Sequence, residues 1–270
     1  MQGVNVSTAA ASGRVSSDGA PARLKQAVLT CARLMFIIAL TLLAMAACGT
    51  HTSSSTQGNN NIMTNDKKES PVVYVAVGDS TGVGVGARDG GYPARLLKRI
   101  RQERIDGEMG ARLVNLCVSG ATTADLLRDQ LTPAIRARPT LITVAIGIND
   151  IGHNVPVTEF ARNFEEIVRR LKTETSAAIV ASNLPDISFA PVAPLSMREQ
   201  IRAQVNLFND RIREIAGRYQ LSLVDAYTET HAVMPTHPEF FSDDGFHPSD
   251  AGYEYWAKTM WPAVKSAIGE

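Results

Sequence analysis

Residues 72–80 read VVYVAVGDS, an apolar run that leads directly into Gly78-Asp79-Ser80. A short apolar run rich in valine is typical of a strand that is buried on both faces of a parallel sheet. Polar residues that follow such a strand lie at the carboxyl edge of the sheet, where ligands bind in open α/β folds. The sequence therefore places Ser80 at a position where it can react with a bound molecule.

The same alternation of apolar strands and amphipathic helices continues along the chain. Further strands are predicted at residues 113–118, 141–146, 178–182 and 221–224. Helices are predicted at residues 92–103, 123–130, 160–174, 197–219 and 251–268. This pattern indicates an α/β fold with a five-stranded parallel sheet that is covered on both faces. Four residues follow predicted strand ends and should converge on one edge: Ser80, Gly120, Asn149 and Asn183.

A second polar block, Asp244-Gly245-Phe246-His247, places a carboxylate three residues before a histidine. A serine hydroxyl is a poor nucleophile unless a base takes its proton, and a histidine does this best when a carboxylate fixes its tautomer. We therefore predict that Ser80 is a nucleophile, His247 its base and Asp244 the residue that orients the histidine. This combination indicates an esterase-type hydrolase.

Acyl transfer also needs hydrogen-bond donors that stabilise the oxyanion of the tetrahedral intermediate. The backbone N–H groups of Ser80 and Gly120 and the side-chain amide of Asn149 are the candidates. Two further carboxylates, Asp79 and Asp150, lie beside these residues. We expect both to brace loops through hydrogen bonds and assign them a structural role.

These blocks resemble those of the SGNH hydrolases, also called GDSL esterases or lipases. The matching positions are Ser80, Gly120, Asn149 and His247. The resemblance extends over residues 71–270 and implies a flavodoxin-like three-layer α/β/α fold. It also implies hydrolysis through a serine-bound acyl intermediate. Thr81 stands where the GDSL label has leucine, which departs from the motif outside the catalytic positions.

An uncharged apolar run at residues 34–47 follows three basic residues and ends in small residues. It is shorter than the roughly 20 apolar residues that span a bilayer, and such a segment is typical of a secretory signal peptide. Its end, Met45-Ala46-Ala47-Cys48, resembles a bacterial lipobox with methionine in place of the usual leucine. The resemblance implies lipidation of Cys48. An ordinary signal peptide and an uncleaved anchor are the alternatives.

The predicted organisation is therefore a signal peptide of the lipoprotein type at residues 1–48, a flexible polar tether at 49–70 and one SGNH hydrolase domain at 71–270. We expect an extracytoplasmic protein of the cell envelope, held to the membrane by an N-terminal lipid. Gly49 is not the aspartate that resembles an inner-membrane retention signal, which favours the outer membrane.

Nucleic-acid binding is excluded by the charge pattern, since 27 basic and 27 acidic residues leave no concentrated basic face. The stretch Gly82-Val83-Gly84-Val85-Gly86-Ala87 formally matches a dinucleotide-binding fingerprint. However, the second predicted strand ends in Val118-Ser119, without the acidic residue that would hold the ribose. We attribute the glycines to the space that an acyl group needs beside the nucleophile.

The remaining histidines and cysteines give no sign of a metal or cofactor. His231 and His237 lie in a predicted loop without metal-ligand spacing, and we interpret them as loop or solvent histidines. Cys117 is interpreted as a small buried apolar residue. We predict no metal and no cofactor.

The favoured function is hydrolysis of carboxylic esters, including lysophospholipids or thioesters, by a monomer. A glycan O-acetylesterase of the envelope and a non-catalytic envelope lipoprotein that binds ligands are the alternatives. Two predictions about the substrate pocket are left open. The segment at residues 189–195, together with Ile148 and Ile151, either forms a wall of an acyl pocket or only covers the core.

Overall fold

The computed structural model describes residues 71–104 and 110–269, so the predicted signal peptide and tether lie outside the described residues. Five strands form one sheet in the order β2-β1-β3-β4-β5, and all neighbouring pairs are parallel. The strands are β1 Val72–Gly78, β2 Ala111–Asn115, β3 Leu141–Ala145, β4 Ala178–Ser182 and β5 Ser222–Val224. The predicted five-stranded parallel sheet is confirmed.

Helices cover both faces of the sheet. They are α1 Ser80–Val83, α2 Tyr92–Glu103, α3 Thr123–Asp125, α4 Leu131–Arg136, α5 Ile148–Gly152, α6 Val157–Glu174, α7 Arg198–Arg218, α8 Ala226–Val233 and α9 Asp250–Ala267. A π-helical turn, Leu126–Gln130, joins α3 to α4. The prediction of a helix that ends at residue 130 was therefore wrong, because the helical chain continues to Arg136. Helices α1, α5 and α8 were not predicted.

Each face of the sheet has its own apolar cluster. On one face the aromatic rings of Phe160 on α6 and Phe208 on α7 pack with their centroids 4.5 Å apart. On the other face Tyr92 of α2 stacks on Trp256 of α9, with a centroid distance of 5.5 Å. Because β1 and β3 are covered on both sides, every position along β3 is buried. This explains why these strands are apolar throughout instead of alternating with polar residues.

The second strand differs from its prediction at residues 113–118. The strand itself ends at Asn115, but Leu116 and Val118 still donate backbone hydrogen bonds to the carbonyls of Ala76 and Gly78, at 2.9 and 3.1 Å. The apolar run therefore marks the part of the segment that continues alongside β1. This continuation brings the loop after β2 to the carboxyl edge, next to Ser80.

The described part of the chain contains both apolar clusters and all five strands, so it has a complete hydrophobic core of its own. None of its helices combines the length and the apolar character that crossing a bilayer would require.

Candidate active site

Three predicted side chains form a continuous chain of hydrogen bonds at the carboxyl edge. Nε2 of His247 lies 3.0 Å from Oγ of Ser80. On the other side of the ring, Nδ1 of His247 lies 2.6 Å from Oδ2 of Asp244. The structure thus brings the predicted nucleophile, base and orienting carboxylate together, although 167 positions separate the serine from the histidine.

Ser80 is held by the turn in which β1 ends. It is the first residue of α1, and Asp79 caps this short helix by accepting hydrogen bonds from the backbone N–H and the hydroxyl of Thr81, at 3.0 and 2.8 Å. Asp79 is buried, and burial raises its pKa, although the bonds from Thr81 partly offset this effect. The predicted bracing role of Asp79 is confirmed by these bonds.

The histidine lies on a loop that folds back on itself before α9. Phe241 and Pro248 form an antiparallel bridge, and the backbone N–H of Ser242 donates to the carbonyl of His247 at 2.8 Å. Gly245 stands at the tip of this loop with φ of +68°, a conformation that residues with a Cβ rarely adopt. We call residues 241–248 the catalytic loop.

Asp244 is fixed by donors from its own loop. Its Oδ1 accepts hydrogen bonds from the backbone N–H groups of Phe246 and His247, at 2.8 and 2.9 Å, and from the hydroxyl of Ser242 at 2.8 Å. Partial burial would raise the pKa of Asp244, but the bonds from His247, Phe246 and Ser242 outweigh it and lower the pKa to about 2. The carboxylate is therefore ionised at neutral pH and can stabilise a protonated His247.

The candidate oxyanion donors lie on three neighbouring loops. One N–H of the Asn149 side chain donates to the carbonyl of Ala121 at 2.9 Å, which fixes the amide next to the loop that carries Gly120. Gly120 is exposed and has φ of +80°, so a glycine is favoured here by backbone conformation. Asp150 accepts bonds from the backbone N–H and the hydroxyl of Thr123, at 3.0 and 2.6 Å, and braces the same loops as predicted.

The glycine-rich stretch after Ser80 has a different role from the one predicted. A Cβ on Gly82 would lie 2.2 Å from the sulfur of Cys117, and a Cβ on Gly84 would lie 2.2 Å from the backbone nitrogen of Gly91. Neither glycine lines the cleft beside Ser80. The glycines therefore allow neighbouring loops to pack closely, and the expectation that they make space for an acyl group was wrong.

A largely apolar cleft opens beside Ser80 and His247. The apolar residues that line it are Ile148, Pro185, Ile187, Ala226, Met234, Phe241, Phe246, Pro248 and Trp256. Asn149 also reaches it, and so do the polar residues Glu229 and Tyr255, whose side chains are hydrogen-bonded to each other at 3.0 Å.

The residues considered as a possible pocket wall, namely Ile148, Ile151 and residues 189–195, differ in where they lie. Ile148 lines the cleft, whereas Ile151 packs against the core. Within the segment at residues 189–195, no side chain lines the cleft; Ala190 and Ala193 are buried, and Val192 and Leu195 are exposed.

Three further residues from the sequence analysis, Asn183, His231 and Cys117, do not line the cleft beside Ser80. Asn183 is buried and links β4 to the start of α8 through a 2.7 Å bond to Asp225. His231 was interpreted as a loop or solvent histidine. It lies on α8 and not in a loop, but its side chain is exposed, and its Nδ1 lies 2.7 Å from the buried carboxylate of Asp186. Cys117 packs against the second apolar cluster, and burial raises the pKa of its thiol.

The sequence analysis did not identify three residues that line the cleft. Met234 directly follows α8, and Tyr255 and Trp256 lie on α9. Their positions depend on how α8 and α9 pack against the catalytic loop. Tyr255, Trp256 and Thr259 have the spacing of residues on one side of a helix. This spacing does not show whether that side lines a cleft or faces the core.

The family model of the GDSL-like lipase/acylhydrolase family matches residues 76–255. The chain belongs to this family. It is a hydrolase of ester bonds. An acetylxylan esterase of Geobacillus stearothermophilus is 24% identical over 182 residues, which cover 65% of this chain and 81% of the relative. The esterase TesA of Pseudomonas aeruginosa is 21% identical over 195 residues, covering 72% of this chain and 88% of the relative.

Solved structures of this family share the fold. The crystal structure of the Geobacillus acetylxylan esterase Axe2 superposes with a TM-score of 0.59 at 22% identity, covering 75% of this chain and 96% of that one. A lipase/acylhydrolase of Enterococcus faecalis gives a TM-score of 0.58 at 22% identity, covering 72% of this chain and 96% of that one.

The low pKa of Asp244 is open to direct measurement. A carbon-13 NMR titration of its carboxyl group should give a pKa of about 2. Because the folded-state pKa lies below the unfolded value of about 3.9, this group stabilises the fold above about pH 4. That stabilisation is lost as the pH falls through the folded-state pKa.

His247→Ala should raise the pKa of Asp244, because it removes the 2.6 Å hydrogen bond. His237→Ala is the matched control, since His237 contacts Glu239 instead, and it should leave the pKa of Asp244 unchanged. A wild-type pKa near 4 would contradict this account of the Asp244 environment.

Proposed function

We propose that the chain hydrolyses acyl esters through a Ser80–His247–Asp244 triad. The observation that carries this proposal is the hydrogen-bond chain from Oγ of Ser80 through the His247 ring to Asp244. Ser80 Oγ attacks the ester carbonyl while its proton passes to Nε2 of His247. Protonated His247 then gives this proton to the departing alcohol, which leaves an acyl group on Ser80. A water molecule, deprotonated by His247, releases the acid and restores the serine.

The oxyanion of each tetrahedral intermediate is proposed to accept hydrogen bonds from the backbone N–H groups of Ser80 and Gly120 and from Nδ2 of Asn149. The 2.9 Å bond from Nδ2 of Asn149 to Ala121 supports this role, because it uses one amide hydrogen and holds the second in a fixed direction. Donors that are fixed before the reaction stabilise developing charge without further reorganisation.

The substrate is proposed to be an ester with an acyl chain longer than acetyl. The cleft beside Ser80 supports this proposal, since most of the residues that line it are apolar, among them Ile187, Met234 and Trp256. Burying each methylene in such a cleft contributes about 0.8 kcal/mol to binding. Lysophospholipids and acyl thioesters carry chains of this kind.

A glycan O-acetylesterase is the second candidate. It is favoured by the likeness to the acetylxylan esterase of Geobacillus stearothermophilus, which is 24% identical over 182 residues. The two candidates differ in the acyl group, so the chain-length preference of the enzyme distinguishes them.

The enzyme is further proposed to act in the cell envelope as a lipid-anchored monomer. The apolar run at residues 34–47, its basic flank and the lipobox-like sequence that ends in Cys48 support this placement. The loss of lipid modification and of membrane retention in a Cys48→Ala variant would test it.

The triad is tested by hydrolysis of p-nitrophenyl esters. Ser80→Ala should lower kcat/KM by roughly 10³-fold or more, because it removes the nucleophile. Asn149→Ala should lower kcat by about 10²- to 10³-fold with a smaller change in KM, since its donor acts on the oxyanion. Ser119→Ala, an exposed serine at the same edge, is the control and should keep wild-type activity. Undiminished hydrolysis by Ser80→Ala would exclude the proposed triad.

The acyl preference is tested with p-nitrophenyl esters from acetyl to palmitoyl. We expect an optimum at a chain longer than acetyl, and Met234→Trp should shift it to shorter chains because Met234 lines the cleft. Ala232→Trp is the matched control, since Ala232 is exposed two residues earlier, near the end of α8, and does not line the cleft. An acetyl optimum that neither variant changes would instead favour the O-acetylesterase.

A further inference from the structure

Most of the exposed large apolar side chains in the described part of the chain lie in segments that follow strands of the sheet. The exposed large hydrophobic residues of this part are Val83, Val118, Val192, Leu195 and Leu207. Single exposed apolar residues are normal on a protein surface. However, the first four all lie in segments that follow strands at the carboxyl edge of the sheet, and Leu207 alone lies in a long helix, α7. We call these four residues the apolar rim.

The apolar rim flanks the catalytic residues on two sides. Val83 ends the short helix that Ser80 begins, and Val118 belongs to the neighbouring loop after β2. On the opposite side, the backbone N–H of Val192 donates to the carbonyl of Gly245 in the catalytic loop at 3.2 Å. Leu195, the most exposed of the four at 78%, follows three residues later. The segments after β1 and β2 thus carry one part of the rim, and the segment after β4 carries the other. Ser80 follows β1 and Asn149 follows β3, which lies between β1 and β4 in the sheet.

We propose that the apolar rim docks on the surface of a lipid bilayer, so that the mouth of the cleft faces the membrane. This inference rests on the proposed lipid-anchored placement of the enzyme. A second copy of the chain is the competing occupant of the same surface.

The sequence outside the described residues supports a membrane as the occupant. The apolar run at residues 34–47 and the proposed lipidation site, Cys48, precede a polar segment of 22 residues at 49–70. A segment of this length can extend to about 75 Å. Strand β1, with its seven residues, separates the end of that segment from the carboxyl edge by only about 23 Å. The apolar rim can therefore reach the same membrane that holds the anchor.

The net charge of the domain indicates whether docking requires anionic lipids. Residues 71–270 contain 21 basic and 24 acidic side chains, so the domain has no cationic excess that would attract anionic lipids. Its lysines lie on α2, α6 and α9: Lys98, Lys172, Lys258 and Lys265. Docking is therefore driven by burial of apolar surface and should not require anionic lipid.

The test uses residues 71–270, which contain the whole core, in flotation assays with phosphatidylcholine vesicles. The wild-type domain should float with the vesicles, and Leu195→Asp should lower the partition coefficient at least tenfold. Leu207→Asp is the matched control, because Leu207 is 49% exposed but lies on α7, and it should bind like the wild type. Replacing part of the lipid with anionic phosphatidylglycerol should change binding less than twofold.

Several results would overturn the proposal. They are no flotation of the wild-type domain, an equal loss in Leu195→Asp and Leu207→Asp, and binding that occurs only with phosphatidylglycerol. A dimer in analytical ultracentrifugation that Leu195→Asp dissociates would assign the rim to a second copy instead.

Hydrolysis of dissolved p-nitrophenyl acetate separates this proposal from the esterase proposal. Leu195→Asp should keep wild-type activity on this substrate and the wild-type melting temperature, because Leu195 does not line the cleft. Ser80→Ala should keep vesicle binding while losing hydrolysis. Failure of the catalytic proposal would thus appear in hydrolysis alone, and failure of membrane docking would appear in flotation alone.

Discussion

The hydrogen bond between Nε2 of His247 and Oγ of Ser80, at 3.0 Å, is the contact on which the whole site depends. It joins the first strand of the domain to the loop before its last helix. Separate sets of hydrogen bonds hold Ser80 and His247 in place. The buried Asp79 caps α1 and fixes the serine, while the three hydrogen bonds to Asp244 Oδ1 fix the carboxylate that orients the histidine. Both sets of hydrogen bonds join residues that are close in sequence.

The carboxyl edge of the sheet supplies the other residues of the proposed site. The parallel sheet ends all its strands at one edge, so loops from β1, β2 and β3 supply Ser80, Gly120 and Asn149. The segment after β4, helices α8 and α9 and the catalytic loop together form the apolar cleft that accepts the acyl chain in our proposal. In our proposal, the apolar rim at the same edge docks on a membrane surface. Nucleophile, cleft and rim therefore depend on one edge of one sheet.

Much of this arrangement could be predicted from the sequence, because it depends on the apolar composition of the strands and on the polar residues that directly follow them. The runs at β1, β3 and β4 are apolar because both faces are buried, and the polar residues just after β1, β2 and β3 mark the edge. The rest depends on tertiary packing. The glycines after Ser80 are required by close neighbours in the folded chain, namely Cys117 beside Gly82 and Gly91 beside Gly84. Helix α8 and the cleft residue Met234 belong to a segment without strong periodicity, so their place beside Ser80 follows only from the packing of the last helices.

Labelling with a fluorophosphonate probe tests most directly whether His247 activates Ser80. We predict that one equivalent of the probe attaches to Oγ of Ser80 with loss of fluoride, as peptide mass spectrometry would show. We also predict that His247→Ala slows this labelling by about 10²-fold or more, since the serine loses its base. Attachment to a different residue, or equal labelling rates in the wild type and His247→Ala, would contradict the claim that His247 activates Ser80.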